Sequence, residues 1–378
     1  MKKDVTASYA DLPAQRKAEL ISAIANGSGM LREKRITAGF DGFLDTIVKV
    51  IKEKDEHTAA TMFKTIKEFG DYILEKHGAS FSLELDVESV KLGGNMPIMA
   101  NAIGRFGINV NCIGTLGYPQ IHPVFKNFPS NCHLYSFAEP GLSTAHEFND
   151  GKMMMAQMGA VNTSGWEKLS AITGIETLVR LFSESQLICI LNWSEIDVST
   201  DIWKGLLQNI LPAYQPKTKQ LAFFDLSDCS KRTGEAISEV FTLLDGFSKY
   251  ANVILSLNMN ETGILYRTMF HKAPGENLAG AGKELFEKLS LHTLLIHSSK
   301  EVIAINKDEL VTMKTFFTPT PKISTGAGDN FNAGFCAGQL LELDTQLSIV
   351  LANAFSGFYV RNGVSAEAKD IIEFLQIN

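Results

Sequence analysis

Short apolar runs, separated by segments of helical length, dominate the second half of the chain. The runs are rich in Leu, Ile, Val and Phe, which is typical of strands that are buried on both faces. The order strand, helix, strand predicts an α/β fold with a mostly parallel central sheet and helices on both faces. The predicted strands are Arg35–Phe40, Ile108–Gly114, Leu187–Leu191, Gln220–Phe224, Asn252–Leu255, Thr293–Ile296 and Val302–Ile305.

Two helical segments lie outside this alternation. Residues 1–34 predict a helical N-terminal extension, with a helix from Leu12 to Ala25 that ends at Gly27-Ser28-Gly29, before a main domain of residues 35–378. Apolar residues that recur with the period of a helix also predict a helix from His57 to His77, inserted in the main domain. We expect the apolar face of this helix to pack on a core.

Two further segments predict a small β-sheet. Residues 82–92 and 134–158 alternate polar and apolar positions over short stretches. The sequence Asn149-Asp150-Gly151-Lys152 is typical of a hairpin turn between two such strands. We expect these segments to form a β-sheet lid over a ligand site.

One stretch of small residues, Gly326-Ala327-Gly328, leads directly into a helical pattern that begins near Asp329. Small residues allow a sharp bend with uncovered N–H groups, and the helix start adds unpaired donors and partial positive charge. These features predict a site for phosphate, or for negative charge that develops during a reaction. Asp329 either caps the helix or removes a proton from a substrate hydroxyl beside the phosphate.

A second glycine pair, Gly93-Gly94, precedes Asn95 and a helix that ends at Gly107. Upstream, Asp41 and Asp45 follow the first predicted strand. Acids at the end of a strand can bind sugar hydroxyls, and a solvated turn is the alternative.

Polar residues also follow later strands, at the sheet edge where parallel sheets bind ligands. Asp225 and Ser298 each come directly or almost directly after an apolar run. Asn258 and Glu261 supply oxygen atoms, which Mg²⁺ prefers while it keeps most of its water, although a helix N-terminus explains the same pair.

The Gly326–Asp329 stretch with Phe331, together with the Gly93–Gly107 unit, resembles the signatures of the ribokinase-like sugar and nucleoside kinases of the phosphofructokinase B type. The resemblance covers about residues 35–378 in order. It implies a ribokinase-like fold with ATP and Mg²⁺. In such a kinase Gly326, Ala327 and Gly328 form the anion hole and Asp329 is the catalytic base.

The resemblance assigns roles to the remaining candidates. Either Asp45, which we favour, or Asp41 binds the acceptor. Asn258 and Glu261 place Mg²⁺ through ordered water. The acceptor site includes Gly93, Gly94 and Asn95, and the nucleotide site includes Asp225, Ser298, Asn353 and Gly363. The lid sheet doubles as a dimer surface in many relatives, which allows a homodimer here.

Three departures from the family pattern qualify these roles. Ile323-Ser324 stands where relatives have Asp-Thr, which argues against a monovalent cation site but leaves the base in place. Ile98 stands where many sugar kinases carry an Asn. Either Asn95 performs the function of that Asn, or the substrate is not a common hexose. The glycines expected near Ser298 are absent.

Composition excludes several classes of protein. The 378 residues are 45% hydrophobic and 20% charged, and the net charge of −7 argues against binding to nucleic acid or to an anionic membrane. No apolar run approaches the roughly 20 residues that cross a bilayer. Five scattered cysteines and the absence of an apolar signal core lead us to expect a cytoplasmic protein with reduced thiols.

These patterns favour a kinase that moves the γ-phosphate of ATP to a hydroxyl of a sugar or sugar-like acceptor. Two alternatives stay open: a nucleoside kinase, and a non-catalytic ligand-binding protein that kept the kinase fold. A dinucleotide-dependent oxidoreductase is not favoured, because no Gly-x-Gly-x-x-Gly follows the first strand.

Overall fold

A nine-stranded sheet forms the centre of the computed structural model, which describes residues 7–55, 58–214, 220–275 and 277–378. In chain order the strands are β1 (Arg35–Gly39), β2 (Phe43–Asp55), β3 (Thr58–Met62), β4 (Leu85–Gly93), β5 (Asn109–Gly114), β6 (Cys132–Ser136), β7 (Gly141–Phe148), β8 (Gly151–Gln157), β9 (Leu187–Leu191), β10 (Gln220–Asp225), β11 (Ala251–Asn258), β12 (Thr293–His297), β13 (Glu301–Asn306) and β14 (Leu310–Lys314). The helices are α1 (Ala14–Glu33), α2 (Ile66–Glu75), α3 (Asn95–Phe106), α4 (Gly159–Asn162), α5 (Trp166–Thr173), α6 (Ile175–Ser183), α7 (Ser199–Gly205), α8 (Gly234–Ser248), α9 (Met259–Phe270), α10 (Leu278–Lys288), α11 (Ala327–Leu340), α12 (Thr345–Asn362) and α13 (Ala368–Ile377).

The central sheet has the strand order β14-β13-β12-β11-β10-β9-β1-β5-β6. Neighbours from β12 to β6 are parallel, whereas β13 and β14 are antiparallel. All of the predicted strands named above lie in this sheet, so the mostly parallel sheet is confirmed.

Strand β9 shows why the sheet needs helices on both faces. All five of its residues are buried. Leu187, Cys189 and Leu191 belong to the core cluster that includes α1, α3 and α11 to α13. Ile188 and Ile190 belong to the cluster formed with α5 to α10. Successive residues of a strand point to opposite faces, so a continuous apolar run fills both layers.

A separate five-stranded sheet is formed by β3, β2, β7 and β8 in that order, with β4 also paired to β2. The two-residue turn between β7 and β8, at Asn149 and Asp150, confirms the predicted hairpin. Residues 82–92 overlap with β4, and most of 134–158 falls in β7 and β8. However, residues 134–136 belong to β6 in the central sheet, because β6 pairs in parallel with β5.

Helix α1 is longer than predicted, because it continues through Gly27-Ser28-Gly29 to Glu33. Gly27 permits close packing rather than ending the helix: an added Cβ atom would lie 2.4 Å from Cδ2 of Leu341. At 20 residues α1 is long, but no helix in the described ranges is both long and apolar enough to span a bilayer.

The predicted helix from His57 to His77 was wrong in its first part. Residues 58–62 form β3, which pairs with the end of β2, and α2 begins only after Thr65 caps its N-terminus. His57 itself lies outside the described residues. Phe63 and Phe69 are buried beside Val50, but Leu74 is 73% exposed, so only part of the apolar face packs on a core.

Candidate active site

Two cavities lie on either side of segment 321–328, which leads from β14 to α11. The larger, about 860 Å³, is bordered by β2, β4, β7, β8 and α3. The smaller, about 370 Å³, is bordered by the ends of β11 and β12 and by α12. Pro321 and Ser324 line both cavities. Segment 321–328 therefore borders both cavities, and Ala327 and Gly328 at its end line the smaller one.

The backbone of this turn leaves some of its N–H groups unpaired. Gly326 has a φ of 87°, and an added Cβ atom would lie 2.9 Å from Oη of Tyr359. The N–H of Ala327 donates to the carbonyl of Ser324 at 3.1 Å. The N–H groups of Gly326 and Gly328 have no acceptor among the described residues. The N–H of Ala327 is thus used within the turn. The N–H groups of Gly326 and Gly328, at the start of α11, can donate to an anion.

Asp329 lies in the first turn of α11 and is 8% exposed. Burial raises its pKa well above the usual value. The negative charges of three neighbouring carboxylates raise the pKa further. The contribution of Asp225 is the largest, that of Asp41 is smaller, and that of Asp45 is the smallest of the three. Its carboxylate accepts no hydrogen bond from another residue in the described part of the chain. The raised pKa means that this carboxylate, once ionised, is a stronger base than an ordinary one.

Tyr359 connects Asp329 with the larger cavity. Its hydroxyl donates to the carbonyl of Thr325 at 3.0 Å. Burial raises the pKa of Tyr359 to about 12, and the charges of Asp329 and Asp45 add to this rise. Both carboxylates therefore lie near the same phenol, which itself lines the larger cavity.

Asp41 is fully buried and lines neither cavity. Its carboxylate accepts hydrogen bonds from the N–H groups of Asn95 and Met96, each at 2.8 Å, and from Nδ2 of Asn192 at 2.7 Å. It therefore anchors the N-terminus of α3. Burial raises the pKa of Asp41 to about 6, despite these hydrogen bonds. Asp41 thus holds α3 through these hydrogen bonds, and its contact with the acceptor stays a prediction.

Asp45, four positions later, lies on β2 and lines the larger cavity. Its carboxylate lies against Gly93, where an added Cβ atom would be 2.3 Å from Oδ1. Burial raises the pKa of Asp45, while a hydrogen bond from Ser143 and the charge of Lys152 lower it. Gly93 thus packs on Asp45, which lines the larger cavity, whereas Gly94 packs on Asp41.

Ser298 and Asn353 line the smaller cavity, as expected for residues of one site. Oγ of Ser298 accepts hydrogen bonds from the N–H groups of Lys300 and Glu301 at 3.1 and 3.0 Å. This side chain closes the turn, which explains how the turn forms without the glycines of other family members. Gly363 lies elsewhere, since it lines the larger cavity.

Asp225, Asn258 and Glu261 meet near the ends of β10 and β11. The Asp225 carboxylate accepts hydrogen bonds from the Ser227 N–H at 2.8 Å and from Nδ2 of Asn332 at 2.6 Å. Asn258 and Glu261 cap α9 reciprocally. Burial and the charge of Asp225 raise the pKa of Glu261 to about 9. No group of three or more His, Cys, Asp or Glu residues in the described ranges is arranged to hold a metal ion.

Tyr359 and Asn332 were not among the predicted site residues. Oδ1 of Asn332 accepts a hydrogen bond from the Ser256 hydroxyl at 2.9 Å, so that Asn332 joins Ser256 to Asp225. The sequence did carry a signal for Asn332, because Asn330 and Asn332 are amides among the small and apolar residues that follow Asp329. No pattern marks Tyr359, which reaches the turn only through the packing of α12 on α11.

Comparison with known proteins agrees with this geometry. The family model of prokaryotic ketohexokinases matches residues 17–377. A ketohexokinase of Haloferax volcanii is 26% identical over 331 residues, which cover 87% of each chain.

Two solved structures share the fold. The first is a ribokinase of Thermotoga maritima (TM-score 0.61, 15% identity, 91% of this chain and 99% of that one). The second, described as a ribokinase II from E. coli, was solved with ATP and Mg²⁺ (TM-score 0.61, 13% identity, 91% and 99%). The chain belongs to the prokaryotic ketohexokinase family.

Proposed function

We propose that the protein transfers the γ-phosphate of ATP to a hydroxyl group of a ketohexose. Membership of the family and the ketohexokinase relative support the choice of sugar. The observation that carries the proposal is that segment 321–328, which leads directly into Asp329, borders both cavities. The phosphofructokinase B type of chemistry, which this motif indicates, is part of the same proposal.

Asp329 acts as the general base. It takes the proton of the acceptor hydroxyl while the new oxygen–phosphorus bond forms. The bond between the γ-phosphorus and the bridging oxygen breaks, and ADP leaves with the electron pair. Burial and three neighbouring carboxylates raise the pKa of Asp329, which strengthens it as a proton acceptor.

The N–H groups of Gly326 and Gly328 stabilise charge on the transferring phosphoryl group. They are the unpaired donors at the start of a 14-residue helix, where the helix dipole adds to their effect. Because they are already oriented, no reorganisation is required during the reaction. Tyr359 supports the turn through its hydrogen bond to Thr325.

ATP binds with its base in the smaller cavity and its phosphates towards the turn. Ser298 and Asn353 border that cavity, and the ring of Phe317, 53% exposed, offers an apolar face. Asp225, Asn258 and Glu261 would hold Mg²⁺ through ordered water. Their oxygen atoms fit a hard cation, and a carboxyl with a raised pKa becomes favourably ionised beside positive charge. Mg²⁺ neutralises charge on the phosphates when it is bound.

The acceptor occupies the larger cavity, with Asp45 as its principal hydrogen-bond partner and Asn95 near the start of α3. The small sheet acts as a lid that excludes water, which limits hydrolysis of ATP. We retain the homodimer as a further proposal. Val87, Leu142 and Met155 of the small sheet are between 44% and 58% exposed and do not line the acceptor cavity, which favours cover by a second copy.

A panel of acceptors tests the proposal. Purified protein with Mg-ATP is mixed in turn with ketohexoses, aldohexoses, ribose and nucleosides, and ADP release is measured, with EDTA as the control for metal dependence. We expect the highest kcat/KM with a ketohexose. Preference for a nucleoside would replace the proposal by a nucleoside kinase. A panel that is wholly inert, with ATP still bound, would indicate a non-catalytic binding protein.

A further inference from the structure

The N-terminal segment before α1 is joined to the edge of the central sheet. The N–H of Ala7 donates to the carbonyl of Thr312 at 3.2 Å, and the N–H of Lys314 donates to the carbonyl of Ala7 at 2.8 Å. Ala7 thereby forms a parallel bridge with Met313 of β14. The start of the described chain is therefore attached to the strand that leads into segment 315–318 of the smaller cavity.

Tyr9 fixes this attachment through its side chain. It is 5% exposed, and its ring centroid lies 5.5 Å from that of Phe316 at an interplanar angle of 57°. The ammonium group of Lys17, one turn into α1, lies 4.6 Å from the centroid of the same ring. Tyr9 is thus packed between α1 and Phe316.

Phe316 and Phe317 line the smaller cavity. Their carbonyls accept hydrogen bonds from the guanidinium of Arg361, at 2.8 and 3.0 Å. The ring of Phe316 also lies 5.0 Å from that of Phe374 on α13. Phe316 is therefore held by α12, by α13 and by Tyr9, and the contact with Tyr9 comes from outside the main kinase domain.

We infer that Tyr9 is a positioning residue for the nucleotide-binding wall formed by Phe316 and Phe317. This inference rests on the proposed function, since it takes the smaller cavity as the nucleotide site. When the side chains that form a binding site are already ordered, less conformational entropy is lost as the ligand binds. Loss of the Tyr9 ring lets Phe316 move, so that nucleotide binding weakens while the acceptor cavity on the other side of the turn is unaffected.

The test compares three full-length variants in their affinity for a non-hydrolysable β,γ-imido analogue of ATP with Mg²⁺, measured by calorimetry. Tyr9→Leu keeps apolar volume but removes the ring, and we expect about two- to tenfold weaker binding. Tyr9→Phe keeps the ring, and we expect wild-type affinity. Gly27→Ala strains the packing of α1 on Leu341, away from the cavity, and should lower Tm without changing affinity.

Steady-state kinetics add a second readout. Tyr9→Leu should raise KM for ATP by the same factor and leave kcat and the acceptor KM unchanged. If Tyr9→Leu does not fold, Ala7→Pro removes the N–H that bonds to Thr312 and should weaken nucleotide binding in the same direction. Equal affinity of the analogue for the wild type and the folded variant would overturn the inference alone. A wild type that binds no analogue would overturn the proposed function as well.

Discussion

The two sheets of this protein differ most in burial. Every residue of β9 in the central sheet is buried, whereas eight of the nine residues of β4 in the small sheet are at least partly exposed. Apolar burial therefore concentrates in the central sheet, and β4 contributes little to it. The turn at Gly326 precedes α11, which packs on the central sheet, and Asp45 lies on β2 of the small sheet. The proposed site thus draws its residues from both sheets.

Two carboxylates show this difference within four residues of sequence. Asp41 is fully buried and makes three hydrogen bonds that hold α3. Asp45 lies on the first strand of the small sheet and faces the larger cavity. The same residue type thus serves stability at one position and, in our proposal, binding at the other. The predictions below test this separation.

After the loss of the base Asp329, which is treated last, the largest expected effects are those that separate Asp45 from Asp41. Asp45→Asn should raise the acceptor KM by about 10- to 100-fold, because a hydrogen bond to a charged group is lost. Its Tm should stay close to that of the wild type. Asp41→Asn should instead lower the free energy of unfolding by about 1–3 kcal/mol, because the amide cannot accept every hydrogen bond that the carboxylate accepts.

Urea denaturation and acceptor kinetics on the same preparations measure both effects. Asp308→Asn, an exposed acid between β13 and β14 that lines neither cavity, serves as the control for charge removal. The separation fails if Asp41→Asn is as stable as the wild type but binds the acceptor poorly.

A smaller effect is expected at the turn itself. Gly326→Ala introduces a Cβ atom 2.9 Å from Oη of Tyr359, at a left-handed φ of 87°. We expect a strain of about 1–3 kcal/mol and a kcat reduced by about 5- to 100-fold. Adding Tyr359→Phe should restore part of kcat, because it removes the crowded oxygen. Gly29→Ala is the matched control, since no atom lies within 4 Å of its added Cβ.

The pH dependence of stability tests the protonation of a buried carboxyl group, that of Glu261. The buried Glu261 has a pKa of about 9, above the ordinary 4.5, so the folded chain holds a proton that the unfolded chain releases. Folding therefore becomes less favourable as pH rises from about 4.5 to about 9. We expect Tm of the ligand-free protein to fall over this window, and Glu261→Gln to flatten the fall. A Tm that rises with pH across the window would contradict this assignment.

The smallest effect concerns the monovalent cation. The aliphatic side chain of Ile323 offers no oxygen ligand where relatives carry an acid. Replacing potassium by a large organic cation at constant ionic strength should leave kcat essentially unchanged, as measured by ADP release. A strong loss of kcat that potassium restores would show that other oxygen atoms form the cation site.

The sequence predicted the buried half of the molecule far better than the exposed half. Continuous apolar runs identified the strands of the central sheet, because a strand buried on both faces has little freedom in composition. Strands β2 and β3 were missed, since an exposed strand carries polar residues such as Lys49, Lys52 and Lys54. Gly27 was taken as a helix end because close packing on Leu341 leaves no local signal.

The candidate site divides in the same way. The small residues before Asp329 placed a helix start and a turn correctly, because that geometry is local. The choice between Asp41 and Asp45, and the participation of Tyr359, depended on contacts between segments far apart in the chain. The engagement of the Ala327 N–H by Ser324 could not be derived from composition either, because it depends on how the turn closes.

The central claim is that Asp329 removes the proton of the acceptor hydroxyl. The most direct test measures kcat for phosphoryl transfer to the preferred ketohexose in the wild type and in Asp329→Asn, with ATP-analogue affinity determined on the same samples. The account predicts that kcat falls by about 10²- to 10⁴-fold, while the analogue binds at least as tightly as before. An Asp329→Asn variant that retains most of the wild-type kcat would contradict it.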